Sequence, residues 1–105
     1  AALALCMCVH ELTTNSLKYG ALARTEGRVL VEWTLGGADE IALTWWETGG
    51  PRVEAPASAG FGTKLMDRLV RHELNGRLER EFDPAELIVR GYFRVPDASR
   101  FKTDL

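Results

Sequence analysis

The apolar residues of this chain keep two different spacings, and the order in which those spacings alternate constrains the fold more than any other feature. Over residues 1 to 22 they recur at helical intervals, with Leu5, Val9, Leu12, Ser16 and Tyr19 on one face and Gly20 near the end. From residue 28 to 35 the period drops to two, so that Val29, Val31, Trp33 and Leu35 share a side. Ile41, Leu43 and Trp45 repeat the pattern after Gly36-Gly37-Ala38-Asp39. Two antiparallel strands joined by a hairpin are predicted there. Residues 48 to 60 have no hydrophobic period and read as a loop, which at that length is expected to be functional. Helical spacing returns with Leu65, Met66, Leu69, Val70 and Leu74, and Asn75-Gly76 supplies a stop. Residues 78 to 82 and 87 to 95 read as two further strands around the turn Asp83-Pro84-Ala85-Glu86. Helix, strand, strand, loop, helix, strand, strand suits an α+β sandwich with its helices on one face. It lacks the strict alternation of a doubly wound sheet. Residues 1 to 95 are expected to form the domain and residues 96 to 105 a tail.

Composition narrows the class. At 105 residues and 46% hydrophobic, the chain can build the core of one ordinary domain and not two. Thirteen basic against fifteen acidic side chains leave no electrostatic footprint for nucleic acid or an anionic membrane, so any phosphate binding must be local. The longest apolar stretch, residues 1 to 9, is too short to span a bilayer, and no basic region precedes it as in a signal peptide. A soluble, cytoplasmic domain is expected. Cys6 and Cys8 point about 200° apart on a helix, which does not favour a shared metal and predicts buried free thiols in a reducing compartment. The first helix opens inside its own apolar period with no capping residue before it, as an excised piece of a longer chain would.

Three groups of polar and glycine residues carry chemistry. Glu11, Asn15 and Lys18, four and three residues apart, stack along one face of the first helix, about 120° from the apolar stripe. Two oxygen donors beside an ammonium can hold a hydrated magnesium ion and a phosphate together; the same spacing also serves a merely solvated helix face. In Trp45-Trp46-Glu47-Thr48-Gly49-Gly50-Pro51 a strand runs into the loop, placing Glu47 where an acid can form a pocket wall. Trp45 continues the Ile41, Leu43 alternation and reads as core, whereas Trp46 faces the other way. Gly60-Phe61-Gly62-Thr63 opens the second helix, so its amides and dipole offer an anion site; a plain helix start has the same appearance. His72, on the exposed side of that helix, reads as solvated.

The string His10-Glu11-Leu12-Thr13-Thr14-Asn15-Ser16-Leu17-Lys18-Tyr19-Gly20 strongly resembles the N box of the HWE class of histidine kinases, within the Bergerat-fold ATPases. Trp45, Glu47 and Gly49-Gly50-Pro51 resemble that class's Trp-x-Glu and Gly-Gly-Pro pattern. Gly60-Phe61-Gly62-Thr63 is similar to its second glycine box. The likeness runs over residues 10 to 95.

The resemblance implies a two-layer α/β sandwich with helices on one face of a mixed sheet, and ATP with Mg2+ between the first helix and the loop plus second helix. It assigns Glu11, with His10 directly before it, to catalysis and Asn15 to the metal. Asn15, Lys18, Tyr19, Glu47, Gly49, Gly60, Gly62 and Thr63 are assigned to ATP, with Glu47 accepting from the adenine amino group. Residues 52 to 59 are a candidate ATP lid. The phosphoryl group would pass to a histidine on an upstream dimerisation domain of a homodimer, and thence to a response regulator. Without that acceptor, the fragment is expected to bind nucleotide and fail to autophosphorylate. A zinc-protease reading of His10-Glu11 fails because the second histidine is replaced by Thr14. A phosphoacceptor box has proline where this chain has Asn15. The alternative function is a degenerate, ATP-regulated interaction module of a signalling protein; a purely structural α/β domain is the third reading.

Overall fold

In the computed structural model, which describes residues 2–37, 39–56 and 60–94, the elements follow the predicted order. They are α1 (Ala2–Tyr19), a short 3₁₀ turn (Ala21–Ala23), β1 (Arg28–Leu35), β2 (Glu40–Thr48), α2 (Phe61–Glu73), β3 (Arg77–Asp83) and β4 (Glu86–Arg94). The tail expected at residues 96 to 105 lies outside the described residues, as does Ala38 of the first turn.

The strands form one sheet in the order β1-β2-β4-β3, and each neighbouring pair is antiparallel. The mixed sheet implied by the resemblance is therefore antiparallel throughout its described strands. The first hairpin closes with Gly36 N–H donating to the Glu40 carbonyl at 2.9 Å and Glu40 N–H to that of Gly37 at 3.1 Å. The second turns on Pro84 and Ala85, held by the Ala85 N–H to the Asp83 carboxylate at 3.0 Å. Between the hairpins α2 crosses over the sheet, so β4 comes to lie beside β2. That helix ends where Asn75 takes a left-handed conformation (φ 46°) and the Gly76 N–H returns to the Val70 carbonyl at 2.9 Å.

Both helices pack on one face. Ala4, Leu5, Cys8 and Leu12 of α1 and Met66, Val70 and Leu74 at α2 meet Ile41, Leu43 and Trp45 of β2 and Val89 and Phe93 of β4. Burying each large side chain contributes roughly 1.5–3 kcal/mol. The central strands β2 and β4 thus carry the core. The other face of the sheet is open, and there Trp46 donates its indole N–H to Glu86 at 2.8 Å. Beside it Arg90 pairs with Glu81 at 2.7 Å.

Alternation predicts which side a residue faces but not how deep it sits. Val31 and Trp33 pair in register with Trp45 and Leu43, on the core side of the sheet, yet Trp33 is 55% exposed. β1 is an edge strand, beyond the cover of the two helices. Tyr19, assigned by period to the buried face of α1, is 75% exposed because the last turn runs out to a cavity rim. Of the two thiols expected to be buried, only Cys8 is; Cys6 is exposed, as their opposed directions on α1 require.

Candidate functional site

A cavity of about 680 Å³ opens where the second half of α1, the end of β2, the loop after it and the start of α2 converge. That size suits a small-molecule ligand. Its walls are Glu11, Asn15, Lys18 and Tyr19 of α1, Glu47 of β2, and Gly60, Gly62 and Thr63 at the start of α2; Phe82, Leu87 and Val89 add an apolar surface. The loop forms a further side through Pro51, Arg52 and Val53, and the Val53 N–H ties it to the Pro84 carbonyl at 3.1 Å. The last residues of the lid candidate, 57 to 59, lie outside the described residues.

At one end sits Glu47, only 4% exposed. It has the same parity as Ile41, Leu43 and Trp45, so β2 delivers it to the core side, beside the end of α1. A carboxylate buried there needs hydrogen-bond partners. Three donors meet it: Ser16 O–H and Ala21 N–H on Oε1, both at 2.9 Å, and the Trp45 indole N–H on Oε2 at 2.7 Å. The Leu22 N–H donates to the Ser16 hydroxyl at 3.2 Å, so the turn after α1 is tied to the same carboxylate. Hydrogen bonds to a charged group are worth about 1.5–3 kcal/mol each. Gly20 is required by this approach, since a methyl group there would overlap Glu47 Oε1.

The other end is built differently. Glu11 and Asn15 are half-buried, Lys18 is exposed, and among the described residues their side chains form no hydrogen bond or ion pair. Gly60 precedes α2 in an extended conformation and provides no side-chain cap. The Gly62 and Thr63 amides, in the first turn, therefore lack intrahelical acceptors at the cavity edge, which suits an anion. The Glu11 carboxylate rests directly on Gly62, where any Cβ would overlap it. No group of three His, Cys, Asp or Glu side chains that could hold a metal occurs among the described residues. The Glu11 and Asn15 oxygens fit a magnesium ion, which is held through few protein ligands together with water and phosphate oxygens.

Of the residues singled out from sequence, Glu11, Asn15, Lys18, Tyr19, Glu47, Gly60, Gly62 and Thr63 converge on this one cavity. Two do not line it. Gly49 forms the turn after β2 with φ 74° and packs on the Glu26 carbonyl. His10 is exposed in an adjoining groove of about 360 Å³ between α1 and α2, shared with Met7 and Leu65, which meets the cavity at Glu11 and Gly62. Sequence reasoning missed the roles of Ser16 and Trp45 toward Glu47, and it missed Arg80, which lines the cavity while paired with Asp67 at 2.8 Å. A serine inside an apolar stripe and a tryptophan two residues before an acid on one strand were the available signals.

The chain is 42% identical over 87 residues to blue-light-activated histidine kinase 1 of Erythrobacter litoralis (strain HTCC2594), a match covering 80% of this chain and 24% of that protein. It is 34% identical over 89 residues to the blue-light-activated histidine kinase of Brucella ovis, covering 82% of this chain and 18% of the relative. The chain thus spans about a quarter or less of the length of these curated relatives. No family model matches it. Among solved structures, the histidine kinase domain from an Erythrobacter litoralis blue-light activated histidine kinase superposes with a TM-score of 0.72 at 20% identity, over 87% of this chain and 46% of that one. A longer structure of that kinase gives 0.69 at 19% identity, over 89% and 30%. The fold is theirs, and over about four fifths of its length the chain is similar in sequence to these histidine kinases, with His10, Trp45 and Glu47 of the HWE pattern in place.

Proposed function

We propose that the cavity binds ATP with Mg2+, and that the chain donates the γ-phosphoryl group to a histidine on a separate helical domain, as one step of two-component signalling. The observation that carries this reading is the pairing, across one cavity, of a hydrogen-bonded carboxylate at one end with unpaired polar side chains and a helix N-terminus at the other. Glu47 accepts a hydrogen bond from the adenine amino group, and the apolar surface of Phe82, Leu87 and Val89 receives the base. Lys18, Thr63 and the first amides of α2 hold the phosphates. Asn15 would hold Mg2+, which when bound would supply charge neutralisation on the phosphate oxygens.

In the transfer, a histidine nitrogen forms the new bond to the γ-phosphorus, the bond from phosphorus to the bridging oxygen breaks, and ADP leaves. Glu11, which lines the cavity, accepts the hydrogen bond from the other nitrogen of that imidazole and so favours attack. The upstream dimerisation domain, a homodimeric whole and the downstream response regulator belong to the same proposal. No helix among the described residues is long and apolar enough to cross a membrane.

Titration of the chain with fluorescent ATP, with and without magnesium, tests the reading. Binding strengthened at least about tenfold by magnesium is expected, as one lost charge-assisted contact alone is worth that much. Binding that ignores magnesium favours the ATP-regulated interaction module. Absence of binding removes the nucleotide altogether.

A further inference from the structure

A carboxylate offers about four acceptor positions, and in Glu47 three are taken by the chain itself. Oε1 receives both Ser16 and Ala21 and is walled in by Gly20, where not even a methyl group fits. Oε2 receives only the Trp45 indole. The acceptor position left to a ligand is therefore on Oε2. Trp45 and Ser16 are 3% and 1% exposed, so neither donor can swing away.

We propose that Trp45 and Ser16 are positioning residues that lock Glu47 with a single acceptor position presented to the cavity, and that this makes the site select bases bearing an exocyclic amino group over bases bearing a carbonyl. The proposal rests on the reading of Glu47 as the adenine contact and deepens it. A carbonyl oxygen brought to that position sets lone pair against lone pair, and Glu47 cannot turn to relieve the contact because all three of its bonds would break. A carboxylate free to rotate would have to be ordered by each incoming ligand, and would tolerate either base by turning aside. The tryptophan and glutamate that stand two apart in the sequence thus act as one unit: the strand period puts both side chains on the same face, and the indole reaches the acid beside it.

The test compares three probes on the full chain: ATP, inosine triphosphate, in which a carbonyl replaces the amino group, and inorganic triphosphate. The native chain is expected to prefer ATP over inosine triphosphate by roughly ten- to hundredfold, the worth of one charge-assisted hydrogen bond. Trp45→Phe keeps an aromatic ring and removes the N–H, and Ser16→Ala removes the hydroxyl. In either variant the preference should fall by about fivefold or more while triphosphate affinity stays within about twofold. Thermal melting identifies which variants fold, and Ser16→Ala carries the test if Trp45→Phe does not. A general loss of structure would weaken all three probes together, and that pattern in folded variants overturns the positioning role. An unchanged preference in folded variants overturns it as well, leaving nucleotide binding intact. A native chain that binds ATP and inosine triphosphate equally refutes the adenine role of Glu47 and this proposal with it; one that binds none of the three probes refutes the nucleotide reading itself.

Discussion

The two ends of the cavity hold an acid each, and they are held in opposite ways. Glu47 is buried at the end of a central strand, with three donors of the chain already on it. Glu11 sits half-buried on a helix face, beside Asn15 and Lys18, against a glycine and with no donor among the described residues. The first acid is part of the core as well as of the site; the second is part of the site alone. A preset acceptor costs a ligand little ordering, which suits recognition of a rigid base. Side chains left unpaired suit groups that bring their own charge, such as phosphate and a metal ion. Stability and binding should therefore be coupled at the base end and separable at the phosphate end.

The largest expected effect breaks that coupling from the core side. Glu47→Ala strands three donors and should cost about 2–4 kcal/mol of folding free energy, read by denaturant melts, together with most of the ATP affinity. Retained stability in that variant would mean the network is not structural. By contrast, Asn15→Ala should leave stability within about 0.5 kcal/mol and abolish the magnesium dependence of nucleotide binding. Full metal dependence in Asn15→Ala removes it from the metal site.

A smaller change sharpens the phosphate end. Gly62→Ala places a methyl group where the Glu11 carboxylate rests, and a flexible side chain yields before a helix does. Phosphoryl transfer to the acceptor histidine should fall roughly tenfold or more with no loss of thermal stability, since alanine favours the helix. Equal transfer by Gly62→Ala and the native protein would show that the position of Glu11 is immaterial.

The smallest effect lies away from the cavity. Burial, with Asp67 adding to it, pushes the Cys8 thiol up to about 11 from 9.0. The neutral thiol is favoured in the folded state, so its contribution to stability is complete below pH 9.0 and is lost as pH rises through about 11. At neutral pH Cys6 should alkylate first, with Cys8 protected until unfolding. Simultaneous labelling of both would place α1 differently.

Much of this was legible in the residues, because local period and turn chemistry decide it. The element order follows from spacing, and both hairpins and the Asn75 stop from the turn residues between the periodic segments. The exposure of Val31 and Trp33 was not legible, since it depends on how far two helices reach across the sheet. The phosphate-end residues could be grouped because they lie on one helix or at one helix start. The network around Glu47 could not: Ser16 lies 31 residues away in sequence and Ala21 lies 26, and only the packing of α1 against β2 brings them together. From spacing, Ser16 reads only as one position of the apolar face of α1, and Trp45 as core. Trp45 is core, and its N–H also serves the acid.

The central claim, one cavity with a base end and a phosphate end, is tested most directly by calorimetric titration of Glu47→Gln with ATP and with inorganic triphosphate, both with magnesium. The account predicts at least about a tenfold loss for ATP and a change within about twofold for triphosphate. An equal loss for both ligands would contradict it.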